Sequence, residues 1–152
     1  MKSLGYAFRG ITDTVKNARC MRIHLCFAFY VIIAGFVTRL SAGEWSAVLS
    51  CVGLVTALEC LNTAMEKLCD AVHPGRSDGI KLAKDAAAGA VLCAAAASAA
   101  VGGLVFFRAG SLAAALGFFK ARTAAAVIIV LTLIPFAFFV RGGKREKDTY
   151  GK

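Results

Sequence analysis

The sequence lacks the residue patterns from which zinc sites and disulfide frameworks are built. It contains six cysteines but no Cys-x-x-Cys pair, and its two histidines, His24 and His73, are far apart along the chain. A structural zinc site needs convergent thiolates or imidazoles, so these spacings argue against one. Because the cysteines lie mostly within or beside apolar runs, we interpret them as reduced thiols that behave as small apolar residues.

Long polar segments are also missing. The 152 residues are 59% hydrophobic with a mean hydropathy of +0.69, which is typical of an integral membrane protein and leaves no room for a separate water-soluble domain. No small-residue cleavage pattern follows the first apolar run, so we do not expect a cleaved signal peptide. The net charge of +9 is neither clustered on a polar helix nor interleaved with exposed aromatic residues, and nucleic acid is therefore not an expected partner.

Apolar runs predict an all-α integral membrane fold. Four runs predict transmembrane helices, at about 23–40, 46–70, 86–107 and 124–140, and Pro135 predicts a kink in the fourth. Ahead of them, residues 3–19 have an apolar face at helical spacing, which predicts an interfacial amphipathic helix: Leu4, Phe8, Ile11 and Val15. The chain thus divides into a core over 1–107, a connector over 108–123, a fourth span over 124–140 and a polar tail over 141–152.

Small residues dominate the third predicted span. They favour close helix packing in the middle of a bundle, and an alanine-rich helix facing lipid is the alternative. Fourteen of the eighteen Lys and Arg residues lie in the N-terminal segment, the second loop with its flanks and the tail. The other four are Arg39, Arg108, Lys120 and Arg122. With four spans, this asymmetry predicts that both termini face the cytoplasm.

Polar side chains form one stripe at the end of the second span. At about 100° per residue, the spacing of Glu59, Asn62, Glu66 and Asp70 places all of them on one helix face. A carboxylate at membrane depth normally faces a protein interior and marks an ion or substrate path. The alternative is the solvated end of a soluble helix.

The residues around this stripe suit a metal-bound polyphosphate. Lys81, Lys84 and Asp85 approach it from the next helix. Magnesium prefers one or two carboxylates together with phosphate oxygens, and lysine neutralises phosphate charge. The deeper Glu59 suits a general base for a hydroxyl that arrives from the lipid. The sequence has neither a Walker loop nor a protein-kinase glycine loop, so a nucleotide would bind by another design.

These residues resemble the prokaryotic diacylglycerol kinase and undecaprenol kinase family of small integral-membrane lipid kinases. The resemblance rests on Glu-Cys-Leu-Asn-Thr-Ala-Met-Glu at 59–66 followed by Asp70, and on Ala-Lys-Asp-Ala-Ala-Ala-Gly from residue 83. Gly-Tyr-Ala-Phe-Arg-Gly at 5–10 and Arg-Ile-His-Leu at 22–25 are also similar. The residues Arg-Ile-His-Leu and Asn-Thr-Ala are closer to the Gram-positive undecaprenol kinase branch of the family.

The resemblance implies an inner-membrane (plasma-membrane) homotrimer that phosphorylates a lipid alcohol with ATP and magnesium at sites shared between copies. It implies that Glu59 is the base, that Asn62 positions the reactants and that Glu66 binds the metal. The expected nucleotide-binding residues are Tyr6, Phe8, Arg9, Asp70, Lys84 and Asp85. An apolar groove discriminates weakly between long chains, so the choice between undecaprenol and diacylglycerol stays open.

One position departs from the family pattern. Four residues before the arginine that opens the first span, the family carries a second metal-binding glutamate, and this chain has Ala18. Loss of that carboxylate should weaken metal binding, because magnesium then depends more on water and on the nucleotide. It also leaves a second hypothesis open, a non-catalytic kinase-like scaffold or an ion- or proton-conducting bundle.

Overall fold

The computed structural model describes residues 2–73, 75, 77–121, 127 and 129–142. Its named elements are all helices: α1 (Lys2–Asn17), α2 (Arg19–Thr38), α3 (Ala42–Val72), α4 (Asp78–Phe106), α5 (Ala109–Ala121) and α6 (Leu133–Arg141). The predicted all-helical architecture is confirmed. Within the described ranges three helices, α2, α3 and α4, are long and apolar enough to cross a membrane.

The first two helices are separated by a break that the sequence pattern does not reveal. The amphipathic helix predicted over 3–19 ends at Asn17, and the extended backbone of Ala18 (φ −92°, ψ 115°) starts α2 at Arg19 rather than near Ile23. The buried Arg22 stabilises this corner. Its Nη1 donates to the carbonyls of Val15 at 3.0 Å and Lys16 at 2.9 Å. These carbonyls end α1 and have no partner in the next turn, so a cation is favoured there.

A tight corner joins α2 to α3. Arg39 adopts a left-handed conformation (φ 54°), and Leu40 N donates to Gly35 O at 3.1 Å, as in a Schellman motif. Ser41 then begins α3 through a reciprocal capping box with Glu44. Helix α3 therefore starts at Ala42, four residues before the predicted start of the second span at about residue 46.

Helices α3 and α4 form an antiparallel hairpin. At one end Asp70 pairs with Lys84, and at the other Glu44 pairs with Arg108. The loop between them includes His73, Gly75 and Ser77, and Pro74 and Arg76 lie outside the described residues. Both helices extend beyond the predicted spans, since α3 continues to Val72 and α4 begins at Asp78. Near the Glu44 end, a small core contains Leu40, Val48 and Val105.

The C-terminal helices pack against α2. Helix α5 occupies most of the predicted connector and contacts both α2 and α4. Residues 122–126 and 128 of the predicted connector and fourth span, and the tail beyond Gly142, lie outside the described residues. Pro135 lies in the helical segment Ile129–Arg141, three residues after a turn at Thr132 that separates residues 129–131 from α6.

Helix α6 runs antiparallel to α2. Phe136 contacts Phe29 and Tyr30 with ring centroids 5.0 and 5.5 Å apart, and the hydroxyls of Tyr30 and Thr132 are 2.8 Å apart. Further along, Arg22 Nη2 donates to Val140 O at 3.4 Å. The last turn of α6 therefore lies beside the first turn of α2.

Candidate active site

The candidate site lies where α2 begins, α3 ends and α4 begins, which we call the site end of the bundle. Glu59, Asn62, Glu66 and Asp70 follow one face of α3, as their spacing predicts. Burial falls along this stripe. Glu59 is 2% exposed, Asn62 is partly buried, and Glu66 and Asp70 are exposed. The stripe thus connects a buried carboxylate to the surface.

Glu59 is a fully buried carboxylate, and a histidine of α2 lies beside it. His24 Nε2 lies 3.2 Å from Glu59 Oε1. This distance is short enough for a hydrogen bond, but the angles do not meet hydrogen-bond geometry. Glu59 Oε1 therefore has no hydrogen-bond partner within the described structure. A buried charge is costly unless it is paired. The sequence contains the signal for this contact, an ionisable residue within an apolar span, but does not indicate its partner.

One turn beyond, Asn62 and Glu66 form a polar pair. Asn62 Nδ2 donates to Glu66 Oε1 at 3.2 Å, while the buried Asn62 Oδ1 has no partner among the described atoms. Amide and carboxylate oxygens are the ligands that magnesium prefers. The described residues contain no cluster of three His, Cys, Asp or Glu side chains that would hold a metal alone. The carboxylate of Glu66 and Oδ1 of Asn62 are therefore two oxygen atoms that could take part in holding a magnesium ion.

The surface end of the stripe carries an ion pair between helices. Lys84 Nζ contacts Asp70 Oδ1, and this pair joins the end of α3 to the start of α4. The Lys84 side chain is 32% exposed and that of Asp70 is 68% exposed. Asp85 is exposed at the next position of α4. The predicted residues of α3 and α4 are thus brought to one end of the hairpin.

Three predicted residues of α1 are not brought to this stripe within the chain. Tyr6, Phe8 and Arg9 are exposed. The side of α1 that faces α3 instead lines a cavity of about 450 Å³, with Gly10 and Thr14 opposite Cys60 and Thr63 among its lining residues.

A second cavity leads from the site into the apolar part of the bundle. It measures about 340 Å³ and lies between α2, α3 and α4. His24 is in its lining, together with Val55 and Thr56, which precede Glu59 by about one helical turn. Small residues of α4 provide room for it: Ala95, Ser98, Ala99 and Gly102. The sequence predicts that small residues of this span bring helices together. In the structure these four residues of α4 also line the cavity, which we call the apolar groove.

Comparisons with known proteins give a consistent result. The family profile described as prokaryotic diacylglycerol kinase matches residues 5–106. An undecaprenol kinase of Bacillus subtilis (strain 168) is 41% identical over 90 residues, which is 59% of this chain and 73% of the relative. A diacylglycerol kinase of Synechocystis sp. (strain ATCC 27184 / PCC 6803 / Kazusa) is 40% identical over 95 residues, covering 60% of this chain but only 53% of that protein. No solved structure matches the chain significantly.

Proposed function

Because the chain belongs to the prokaryotic diacylglycerol kinase family, and is therefore a lipid kinase, we propose that it phosphorylates the hydroxyl of a membrane lipid with ATP at the cytoplasmic interface. The observation that carries this proposal is the position of Glu59. It is a fully buried carboxylate, and the histidine beside it lines an apolar groove. A lipid hydroxyl that entered along the groove would reach this carboxylate.

The apolar groove supports a long-chain alcohol as the acceptor. Aliphatic and small side chains line most of its wall, and His24 and Thr56 add polar groups. A chain held in such a groove is recognised by its apolar body, and the few polar groups orient its end. Undecaprenol and diacylglycerol, the substrates named by the relatives, are the two candidates.

The nucleotide phosphates belong at the exposed part of the stripe. Lys84 supplies a compact cation, and Asn62 and Glu66 supply oxygen atoms one helical turn apart. Magnesium bound at Glu66 would neutralise phosphate charge. Phosphoryl transfer is mainly positioning and electrostatic stabilisation, so this small set of side chains suffices for the protein's part.

The proposed reaction uses Glu59 as the general base. The lipid oxygen attacks the terminal phosphorus of ATP, its proton passes to the Glu59 carboxylate, the bond from phosphorus to the bridging oxygen breaks, and ADP leaves. Asn62 lies between Glu59 and Glu66 on the same helix face, where it would position the two reactants. Lys84 would hold the phosphates. Asp70 would take part in nucleotide binding by fixing the position of the Lys84 ammonium group, with Asp85 beside this pair.

The assembly that we propose is a homotrimer with sites shared between copies. In the single chain α2, α3 and α4 are mostly exposed, so lipid or further copies must cover them. The exposed Tyr6, Phe8 and Arg9 of one copy would then approach the nucleotide of another. In this arrangement these three residues would bind the nucleotide of a neighbouring copy rather than that of their own chain.

For the topology we propose an inner-membrane protein with both termini in the cytoplasm. Leu4 and Ile11 are exposed along α1, as expected for an interfacial helix that lies on the membrane. Thr132 lies beside Tyr30 and Val140 beside Arg22, so the C-terminal segment returns towards the site end. That direction supports a fourth crossing over 124–140. With it, the proposed organisation is a core over 1–107, a connector over 108–123, the fourth span and a cytoplasmic tail over 141–152.

The test is lipid-dependent ADP formation by the purified full chain in mild detergent, with undecaprenol and diacylglycerol offered separately. We expect turnover that requires lipid and magnesium and that yields the phosphorylated lipid. A protein that binds the lipid but forms no phosphorylated product with either alcohol would contradict the proposal. It would favour the non-catalytic scaffold that the missing carboxylate at Ala18 suggests.

A further inference from the structure

His24 is the polar side chain of α2 that meets the buried carboxylate of α3. Its Nε2 is 3.2 Å from Glu59 Oε1, and that oxygen lacks a hydrogen bond within the described structure. The contact joins two residues that are far apart in sequence, at the end of the bundle where the other site residues of α3 and α4 lie. Catalytic contacts are often poorly aligned before substrate binds and tighten in the complex.

The same histidine also reaches the apolar groove. His24 is among the lining residues of the 340 Å³ cavity, and its side chain is 25% exposed while that of Glu59 is 2% exposed. The imidazole therefore lies between the groove and the carboxylate. A hydroxyl that arrives along the groove meets this pair rather than Glu59 alone.

We infer that His24 is a positioning residue for the Glu59 base in lipid phosphorylation. An N–H at Nε2 donates to Glu59 Oε1 and restrains the carboxylate, so that Glu59 accepts the proton of the lipid hydroxyl in one defined orientation. His24 itself takes no proton from the lipid. The inference rests on the proposed function and adds to it a residue that sets the geometry of the base.

Two amide variants of His24 distinguish the donation of a hydrogen bond to Glu59 from the mere size and polarity of the side chain. In His24→Gln the amide nitrogen reaches the place of Nε2, whereas in His24→Asn it reaches only the place of Nδ1 and falls short of Glu59. We expect His24→Asn to lower kcat about 10- to 100-fold, as misplacement of a catalytic group does, with the KM for ATP and the KM for lipid nearly unchanged. We expect His24→Gln to keep kcat within about threefold of the parent.

A matched control and a double-mutant cycle complete the experiment. His73→Gln changes the second histidine, which is exposed just after α3, and should leave kcat and both KM values unchanged. If His24 acts through Glu59, His24→Asn should change the residual kcat of Glu59→Gln by less than about twofold, because the two side chains act as one unit. All variants are assayed in the same detergent, and their thermal stability is measured to check that each is folded under the assay conditions.

The outcomes distinguish this inference from the proposed function. A parent protein without lipid phosphorylation would overturn both. An active parent in which His24→Asn and His24→Gln have equal kcat values would overturn the role of His24 alone. Losses that multiply in the double variant would overturn it as well, because they would show that His24 acts independently of Glu59.

Discussion

At the residue scale, Glu59 and Glu66 should respond differently to neutralisation. Glu59 is buried, and a glutamine there keeps size and polarity but is not a base. We expect Glu59→Gln to lower kcat by about 10²- to 10⁴-fold, the usual contribution of general base catalysis, while ATP binding and thermal stability are kept. Steady-state kinetics together with nucleotide binding would check this. Activity within a few-fold of the parent would contradict the assignment of the base.

Glu66 is exposed and beside Asn62, so its loss should act on nucleotide binding. We expect Glu66→Gln to raise both the magnesium concentration for half-maximal activity and the KM for ATP, because one carboxylate would join the metal to the protein. The KM for lipid serves as the internal control and should stay constant. A selective change in the KM for lipid would instead place Glu66 on the acceptor side.

Ala18 takes the place of the second metal-binding glutamate that the family resemblance leads us to expect. It caps α2 without a side-chain hydrogen bond, in a place where a carboxylate is favoured by the helix N-terminus. We expect Ala18→Glu to lower the magnesium concentration for half-maximal activity. Ala18→Gln is the matched variant without charge, and Ala18→Ser tests the cap alone. If all three show the same magnesium titration as the parent, the missing glutamate does not limit metal binding.

At the element scale, the corner between α2 and α3 depends on a close helix approach. A Cβ placed on Gly35 would lie 2.7 Å from Trp45 Cη2, and Trp45 is itself held against Phe36 with ring centroids 4.9 Å apart. We therefore expect Gly35→Ala to destabilise the protein by ~1–3 kcal/mol, the usual cost of overpacking.

Gly43, in the first turn of α3 at the same corner, is the matched control. A Cβ there would have no atom within 4 Å. Gly43→Ala should therefore be neutral or stabilising by up to ~1 kcal/mol, since alanine favours the helix. Thermal unfolding of the two variants in one detergent measures the difference. Equal stability of both would mean that the corner relaxes around the added methyl group.

At the scale of the whole molecule, the basic residues and the direction of α6 predict the same topology. Arg22 contacts the end of α6, so the end of α6 lies towards the site end with α1. We expect a reporter fused after Lys152 to be active only in the cytoplasm, and one inserted after Arg39 to be active only outside. A C-terminal reporter that works only outside would rule out the fourth crossing.

The sequence by itself determined the helical class, the first three of its four predicted spans and the common face of Glu59, Asn62, Glu66 and Asp70. These follow from local hydropathy and from the helical repeat, which act over a few turns. Only the tertiary structure decided the contact of His24 with Glu59, the role of Arg22 at the ends of α1 and α6, and the groove beside the small residues of α4. Each depends on how separate helices pack, and packing is set by the shapes of facing side chains rather than by the pattern within one helix.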